Sequence, residues 1–371
     1  MSGTSMDGID ASLVDFSANK PNLVATFYAQ FPEEIVSKIR TLSNPDNLIS
    51  LKQLGQLDTQ LGHLYSQAVL TLLKNTPYLP QDIIAIGCHG QTVHHAPANK
   101  YPFSMQIGDP NIIVEKTGIT TITDFRRGDI AAGGQGAPLV PAFHKEFFSE
   151  PTENRVILNI GGIANITLLP KTQNEKVRGF DTGPGNTLMD YWIQTCINSP
   201  YDENGNWAYS GTCQDELLEK MLNDPYFLIA PPKSTGTEYF SPGWLVSKIT
   251  EKKYLPEDIQ ATLCHLTTRT ICEAIKKSPM SPDRLLVCGG GIHNQLLMNL
   301  LREEMSCPVD STLEYGLDPA QVEAAAFAWL ARQTFNGLAG NLTDVTGACR
   351  PVILGGIYPG NKYSFPNKLK E

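Results

Sequence analysis

The sequence of 371 residues predicts an α/β protein that is large enough for two lobes. A glycine turn and a strand occur together at residues 3–16, and the same combination returns at residues 155–169. A wholly apolar strand at residues 285–288 runs into three glycines and a helix. Such a strand is typical of a sheet that is covered on both faces.

The lobe boundary is expected where the chain changes character, near residues 145–152. We therefore expect an N-terminal lobe of residues 1–148, joined by part of residues 335–371. The C-terminal lobe would then span residues 149–334.

The composition excludes several classes of protein. The net charge is -9 and no run is dense in Lys or Arg, so neither nucleic acid nor an anionic membrane is expected as the main partner. No apolar run approaches the ~18 residues that span a bilayer, and the first residues do not resemble a signal peptide. The eight cysteines are scattered, which favours reduced thiols in a cytoplasmic protein. The seven histidines lack metal-ligand spacing.

The first motif is a small-residue turn that could wrap phosphate oxygens. It consists of Gly3, Thr4, Ser5, Met6, Asp7, Gly8, Ile9 and Asp10. Its two carboxylates, Asp7 and Asp10, could hold a hydrated Mg²⁺. Strands are predicted at residues 9–16 and 23–31. The alternative is a hydroxyl-rich terminal tail without function.

Two amphipathic helices, at residues 32–42 and 51–75, follow the first strands. A short apolar strand at residues 83–88 then leads to a polar group that includes His89 and Gln91. Polar side chains that leave the end of a strand often form sites. A loop histidine without chemistry is the alternative.

Another candidate site lies after the capped helix at residues 110–117 and the strand at residues 120–124. Asp124, Arg126 and Arg127 end that strand, and a glycine-rich loop with Gln135 follows. Two arginines beside such a loop could bind a carboxylate in a bidentate manner. A solvated surface pair is the alternative.

Asp181 is the candidate catalytic residue. It follows a strand predicted to end at residue 180, and a glycine-rich turn at residues 182–185 leads into a helix. A carboxylate in this position is suited to chemistry on a phosphate-bearing ligand, although it could simply cap the helix. Residues 199–240 are rich in loops, with a flexible segment at residues 231–236, and could form a lid or a substrate wall.

Glycines that could border a phosphate or a flat ligand stand at Gly161, Gly162, Gly289, Gly290 and Gly291. Tight crossovers without a ligand are the alternative. Asn294 takes the place of the last glycine of a dinucleotide fingerprint, so that fold is not favoured. Helices are predicted at residues 256–278 and 294–305. On the last long helix, Glu323 could reach a sugar hydroxyl or lie on a solvated face. The tail from residue 337 is expected to combine covering turns with disorder.

Several longer strings resemble one family, in the same order over nearly the whole chain. They are GTSMDGID (3–10), HGQT (89–92), QIGDP (106–110), DFRR (124–127), GGQGAPLV (133–140), NIGGIANIT (159–167), FDTGPGN (180–186) and GGGIHN (289–294). The sequence resembles the 1,6-anhydro-N-acetylmuramic acid kinases of the actin-like ATPase and sugar-kinase superfamily. The resemblance implies a duplicated ribonuclease H-like fold, with ATP in a cleft between the lobes.

The resemblance also implies an activity in the recycling of peptidoglycan sugars. Water opens the 1,6-anhydro bridge while ATP phosphorylates O6, which gives N-acetylmuramic acid 6-phosphate and ADP. Asp181 would be the general base, and the motif from Gly3 to Asp10 would hold the ATP phosphates and Mg²⁺. The glycines at 161–162 and 289–291 would border the nucleotide.

Substrate contacts are expected from His89, Gln91, Asp124, Arg126, Arg127, Gln135 and Glu323. Either Arg126 or Arg127 is expected to bind the lactyl carboxylate of the sugar.

Family members carry a short apolar strand before the first motif, and this sequence begins at the turn. We therefore expect the phosphate turn to be anchored on one side only. A homodimer is also expected. The alternatives are a nucleotide-gated binding protein of the actin or chaperone type and a catalytically inactive relative.

Overall fold

The structure is a computed structural model that describes residues 1–3, 6, 8–18, 21–44, 47–172, 175–249 and 253–361. Its contacts divide the chain into two compact units. Unit 1 consists of Met1–Phe143 together with the described residues from Glu323 onward, and unit 2 is His144–Val322. Helices and sheets occur in both units, which confirms the predicted α/β class.

The strands are short and are spread along the whole chain. They are β1 (Gly8–Asp15), β2 (Asn22–Gln30), β3 (Ile86–Gly87), β4 (Gln91–Ala96), β5 (Phe103–Ile107), β6 (Thr121–Thr123), β7 (Arg155–Ile160), β8 (Ile163–Leu169), β9 (Arg178–Pro184), β10 (Arg284–Cys288), β11 (Val309–Ser311) and β12 (Gly356–Tyr358).

The helices range from a single turn to nearly seven turns. They are α1 (Glu33–Ser43), α2 (Leu51–Lys74), α3 (Pro110–Thr117), α4 (Arg127–Ala131), α5 (Val140–Phe148), α6 (Thr187–Ile197), α7 (Asn206–Ser210), α8 (Asp215–Leu222), α9 (Pro242–Ile249), α10 (Pro256–Lys276), α11 (Gln295–Glu304), α12 (Val322–Phe335) and α13 (Thr343–Thr346).

Unit 1 contains small sheets that pack on amphipathic helices. β1 pairs with β2, β4 pairs with β5, and β6 lies between β3 and β12. Helix α2 supplies Leu57, Leu61 and Tyr65 to the core, which is why its apolar residues recur at three- and four-residue steps. Its first turn is closed by a capping box between Ser50 and Gln53.

Unit 2 is organised around a five-stranded sheet in the order β11-β10-β7-β8-β9. β10 lies parallel to both β7 and β11, while β8 is antiparallel to β7 and β9. One face of the sheet packs on α10, whose Ile259, Leu263 and Ile271 are buried. Because β7 and β10 are covered, their sequences are almost continuously apolar.

Two predicted segments differ from the structure. β9 does not end at residue 180 but continues to Pro184, because Ile163 and Ala164 of β8 pair with Pro184 and Gly183. A proline is tolerated there because β9 is the edge strand of its sheet. The described part of the tail is packed rather than disordered: β12 joins β6, and the Leu354 side chain is fully buried.

The amino end of the chain folds back onto β1. The Met1 amino group donates to the Asp10 carbonyl at 2.7 Å, and the Asp10 N–H donates to the Met1 carbonyl at 2.8 Å. A cavity of about 640 Å³ in unit 1 adjoins this pair and is lined largely by β1, α2 and α12. Met1 is therefore attached to β1 by two hydrogen bonds.

All eight cysteines are free thiols, and Cys88, Cys264, Cys272 and Cys288 are buried. Within the described residues, no helix combines the length and the apolar character that crossing a bilayer requires.

Candidate functional site

Three loops meet at one edge of the unit 2 sheet. β7 and β10 are parallel neighbours, so Gly161 and Gly289, which follow them, leave the sheet at the same edge. The Asn186 N–H donates to the Gly161 carbonyl at 2.8 Å, and the Asn186 amide donates to the Ile160 carbonyl at 3.2 Å. The turn after β7 and the start of α6 are thus held together.

The glycines at this edge fall into two groups. A Cβ atom on Gly289 or Gly291 would overlap the end of β7, and Gly289 has a φ of 81°, so the fold itself requires glycine at both positions. A Cβ atom on Gly161, Gly162 or Gly290 would have its nearest neighbours at 3.6, 3.7 and 4.0 Å. The fold leaves room for a side chain there, so these glycines keep open the surface that a ligand could approach.

Asp181 lies within β9 rather than after it. It pairs with Asn165 of β8, and the register of the two strands shifts next to this pair. Bulges of this kind change the direction in which a side chain points and are frequent beside active sites. Asp181 therefore stands in the middle of an edge strand, whereas the sequence predicted a strand that ends one residue before it.

Three hydrogen bonds to one segment, residues 226–235, hold Asp181 in place. Its backbone N–H donates to the Lys233 carbonyl at 3.2 Å, and its carbonyl accepts from the Tyr226 hydroxyl at 2.7 Å. Its Oδ2 accepts from the Thr235 N–H at 2.9 Å. In the part of the chain that the structure describes, no donor bonds Oδ1. One carboxylate oxygen is therefore held in place while the other can accept a proton.

Desolvation raises the pKa of Asp181 to about 6, even though the Thr235 N–H and the Lys233 cation act to lower it. The negative charge of Glu238 also raises the pKa of Asp181, by less than desolvation does. A carboxylate with a pKa near neutrality is poised for general base catalysis, because it is ionised at pH 7 and still basic enough to take a proton.

The segment that holds Asp181 is itself anchored by Asp224. This buried carboxylate accepts from the Tyr239 hydroxyl and the Trp244 Nε1, each at 2.8 Å, and from the Tyr226 N–H at 3.0 Å. The Tyr226, Phe240 and Trp244 rings pack edge to face. Residues 231–236 are predicted to be flexible. In the structure the Lys233 carbonyl and the Thr235 N–H bond Asp181, and Lys233 Nζ donates to the Tyr226 carbonyl.

Sequence reasoning missed Tyr226, Lys233 and Thr235 as site residues. Lys233 Nζ lies 4.4 Å from the Tyr226 ring centre and donates to the Tyr226 carbonyl at 3.2 Å. The available signal was the density of aromatic residues between 226 and 244, which is unusual for a loop.

Unit 1 brings His89 and Arg126 together. Arg126 donates to His89 Nε2 from Nε at 3.0 Å and from Nη2 at 2.9 Å, and its Nη1 donates to the Gly136 carbonyl at 2.8 Å. His89 Nδ1 lies 2.7 Å from the Gly90 carbonyl, so the ring proton resides on Nδ1. Burial and the adjacent Arg126 cation hold the pKa of His89 well below its usual value.

The two arginines have different environments. Arg127 is exposed and pairs with Asp124, with Nε 2.7 Å from Oδ1. Arg126 is partly buried, and desolvation lowers its pKa to about 10 while Glu323 opposes that effect. The predicted group of Asp124, Arg126 and Arg127 is therefore split into a surface ion pair and an inner guanidinium.

The remaining predicted substrate residues are spread over unit 1. Gln91 is fully buried and donates to the Gly3 carbonyl at 3.2 Å, while its Oε1 finds no partner in the described chain. Glu323 is partly buried at the start of α12 and not on a solvated face; it interacts electrostatically with Arg126 and the Met1 amino group. The Gln135 side chain is exposed, and its N–H donates to the Thr346 carbonyl at 2.8 Å.

The glycine-rich loop that contains Gln135 is held by a residue that sequence analysis did not single out. Asp129 is fully buried, and its carboxylate accepts from the Gly136 N–H, the Asn341 amide and the Thr346 hydroxyl, each at 2.7 Å. Asn341 and Thr346 belong to the C-terminal segment of the chain, so that segment shapes the loop.

The phosphate motif is described only in part, because Thr4, Ser5 and Asp7 lie outside the described residues. The Met6 N–H donates to the Gly3 carbonyl at 3.3 Å, and Met6 has a φ of 58°. Gly8, Ile9 and Asp10 belong to β1. Among the described residues, no group of three or more His, Cys, Asp or Glu side chains is arranged to hold a metal ion.

Residues 1–360 match the family described as "Anhydro-N-acetylmuramic acid kinase". The chain belongs to this family. The family relationship that the sequence motifs predicted is thereby confirmed.

Relatives with the same description are similar over almost their whole length. A protein of Pasteurella multocida is 50% identical over 366 residues, which cover 98% of this chain and 96% of the relative. One of Coxiella burnetii (strain Dugway 5J108-111) is 47% identical over 369 residues, or 98% of each chain. One of Shewanella pealeana is 50% identical over 364 residues, which cover 97% of this chain and 98% of the relative.

Solved structures of distant proteins align with the chain at low identity. A ROK family glucokinase from Streptomyces griseus in complex with glucose and AMPPNP gives a TM-score of 0.41 at 12% identity, with 88% of this chain and 97% of the other covered. An activator of 2-hydroxyisocaproyl-CoA dehydratase from Clostridium difficile gives the same TM-score and identity, with 88% and 98% covered.

Proposed function

We propose that this protein is an anhydro-N-acetylmuramic acid kinase that works in the recycling of peptidoglycan sugars. It converts 1,6-anhydro-N-acetylmuramic acid, ATP and water to N-acetylmuramic acid 6-phosphate and ADP. Family membership over residues 1–360 supports the substrate and the use of ATP. The observation that carries the mechanism is the carboxylate of Asp181, which has one oxygen bonded and the other open.

In the proposed reaction, Asp181 Oδ1 takes a proton from water as the water oxygen attacks the anomeric carbon of the sugar. The bond between that carbon and O6 breaks, and O6 takes the γ-phosphoryl group of ATP while ADP leaves. Phosphoryl transfer depends mainly on positioning and on neutralisation of charge. The protein therefore needs to supply one proton acceptor, which a carboxyl group with a pKa of about 6 can be at neutral pH.

We propose that the nucleotide lies against Gly161, Gly162 and the triplet Gly289–Gly291. The room beside Gly161, Gly162 and Gly290 supports this assignment, because a side chain there would fill space that the fold leaves open. Loops before helix N-termini and backbone N–H groups favour phosphate oxygens. The motif from Gly3 to Asp10 would hold the phosphates in the same way.

Mg²⁺ fits this motif by the chemistry of its donors, since Mg²⁺ prefers carboxylate oxygens, phosphate oxygens and water. Asp10 offers a partly buried carboxylate in β1, and Asp7, outside the described residues, would be its partner. When bound, the ion neutralises phosphate charge. Asp10→Asn should raise the Mg²⁺ concentration at half-maximal rate.

We propose that Arg126 rather than Arg127 contacts the lactyl carboxylate of the sugar. Two of the five guanidinium N–H groups of Arg126 point to His89 and one to Gly136, which leaves two for a ligand. Arg127 is already paired with Asp124 at the surface. His89 and Glu323 act on Arg126 directly, and Gln91, Asp124 and Gln135 are proposed as further contacts of the sugar. The free thiols support a cytoplasmic location.

The test is release of ADP that depends on the anhydro-sugar, with the phosphorylated product identified by mass spectrometry. Asp181→Asn should lower kcat by roughly 10²- to 10⁴-fold, the contribution of a general base. Asp215→Asn, at an exposed carboxylate on α8, is the matched control and should behave like the parent. A rate for Asp181→Asn equal to that of the parent would remove Asp181 from the mechanism.

A further inference from the structure

The hydroxyl of Thr235 is buried and has no hydrogen-bond partner in the described chain. Most buried hydroxyls in folded proteins are bonded, and one that is not costs free energy of folding. Thr235 stands beside the proposed base, because its own N–H donates to Asp181 Oδ2 at 2.9 Å. An unbonded polar group at this place is a reason to look for a ligand.

Covalent geometry limits the distance between the hydroxyl and the carboxylate. The Thr235 Oγ1 is three bonds from its own amide nitrogen, so it lies within about 7 Å of Asp181 Oδ2. The segment that carries it is fixed by the Lys233 carbonyl, which accepts from the Asp181 N–H, and by Tyr226, whose hydroxyl bonds the Asp181 carbonyl. The fold therefore holds the Thr235 backbone at the Asp181 carboxylate.

Asp181 Oδ1 is also without a donor in the described chain, so an acceptor and a hydroxyl without partners belong to two residues that are hydrogen-bonded to each other. Water is the smallest molecule that can bond both groups at once. We propose that the Thr235 hydroxyl binds the water molecule that Asp181 deprotonates. This inference rests on the proposed function, since it names a second contact for the water of that reaction.

Thr235 takes no part in bond making under this proposal. One O–H of the water donates to Asp181 Oδ1, which receives that proton in the reaction, and the other donates to Thr235 Oγ1. The water oxygen then presents its lone pairs to the anomeric carbon. The hydroxyl lowers the entropic cost of orienting the nucleophile, which is the usual effect of a positioning contact.

The proposal predicts that removal of the Thr235 hydroxyl lowers activity without lowering stability. Thr235→Val keeps the shape of the side chain and removes the unbonded hydroxyl, so the free protein should be as stable as the parent or more stable. The same change should lower kcat by about 10-fold to 100-fold, because the water loses one of its two contacts. The sugar KM should stay within about twofold of the parent value, as expected for a contact to water rather than to the sugar.

Thr312 provides a matched control in the same unit. Its hydroxyl is also buried without a partner in the described residues, and its side chain is fully buried. It follows β11, which is four strands away from β9 across the sheet, or about 19 Å at the usual strand spacing. Thr312→Val should change the Tm in the same direction as Thr235→Val and leave kcat unchanged.

The experiment measures kcat, sugar KM and Tm for Thr235→Val, Thr235→Ser and Thr312→Val, with Asp181→Asn in parallel. A lower kcat for Thr235→Val at an undiminished Tm, with Thr235→Ser close to the parent, supports the proposal. An unchanged kcat, a higher KM alone, or a fall in Tm together with kcat would each overturn it. If Asp181→Asn keeps full activity, the proposed function is wrong. If Thr235→Val keeps full activity and Asp181→Asn does not, only the role proposed for Thr235 is wrong.

Discussion

Arg126 donates two hydrogen bonds to a single acceptor, Nε2 of His89, at 3.0 and 2.9 Å. His89 must be neutral for this contact, since a protonated ring would have no lone pair on Nε2. The histidine therefore acts here as an orienting group for the guanidinium rather than as an acid or a base. This relationship makes His89 and Arg126 one unit, which can be tested through stability and substrate binding together.

His89→Ala should destabilise the protein by about 1–3 kcal/mol, because two guanidinium N–H groups lose their acceptor. It should also raise the sugar KM, since Arg126 is no longer fixed. Urea unfolding and steady-state kinetics measure the two effects. His63→Ala, at an exposed position on α2, is the control and should change neither. Normal KM and normal stability in His89→Ala would show that Arg126 does not depend on His89.

Two buried histidines should contribute less to stability as the pH is lowered below about 6.5, the ordinary histidine pKa. Burial holds the pKa of His89 well below that value and lowers the pKa of His144 to about 3. At these two histidines the unfolded chain binds more protons than the folded protein below pH 6.5. Their contribution to the free energy of unfolding therefore decreases as the pH falls toward 3 and is constant above 6.5.

The variant that tests this pH dependence is His144→Asn, whose amide can replace the Nδ1 contact to the Thr167 hydroxyl. Unfolding by urea at half-unit steps from pH 4.5 to 8 should show a smaller slope below pH 6.5 for the variant than for the parent. Equal slopes would mean that His144 does not resist protonation in the folded state.

The rate should depend on the ionisation of Asp181. Its pKa is raised to about 6, chiefly by desolvation, so kcat/KM should rise with pH up to about 6 and level off above it. The raised pKa of Asp181 also affects stability, which it lowers as the pH rises. The protonated Asp181 carboxyl group contributes stability that is present below pH 3.8 and is lost as the pH rises through about 6.

Asp181→Asn should therefore have a Tm at pH 7.5 that equals or exceeds that of the parent, together with a large loss of activity. Differential scanning calorimetry and a pH–rate profile measure these quantities. A pH–rate profile of the parent that is flat between pH 5 and 7 would contradict the assignment of Asp181 as the base.

The sequence was most informative where structure depends on near neighbours. Helix α3 was placed at residues 110–117 from a cap at Asp109 and a proline at its first position, and the structure has both. The motif around Asp181 was found, but the end of β9 was not, because a Gly-Pro pair usually marks a turn and only the pairing with β8 extends the strand.

The parts that could not be predicted depend on contacts between distant residues. Asp129 is bonded by Asn341 and Thr346, more than 200 positions further along the chain. Asp224 joins Tyr226, Tyr239 and Trp244, which lie 2, 15 and 20 positions away. Neither group has a periodic or local pattern, so the carboxylates that shape both candidate sites resembled ordinary loop residues in the sequence.

Alanine substitutions in the glycine triplet should separate the needs of the fold from those of the ligand. Gly290→Ala should leave the Tm of the free protein nearly unchanged, because the added Cβ would have no neighbour closer than 4.0 Å. Gly291→Ala should lower the Tm, since its Cβ would overlap Ile160 at the end of β7. The two variants differ by one position and carry the same added methyl group.

If the nucleotide lies against this surface, Gly290→Ala should weaken the binding of a non-hydrolysable ATP analogue by about tenfold or more, the effect of about 1.4 kcal/mol. Isothermal titration calorimetry measures this affinity in the absence of sugar. Gly337→Ala, at a glycine of unit 1 whose φ of 69° favours glycine, should reduce stability without changing the affinity of the folded protein. An affinity for the ATP analogue equal to that of the parent in Gly290→Ala would place the nucleotide away from the triplet, because a methyl group added at the binding surface would weaken binding.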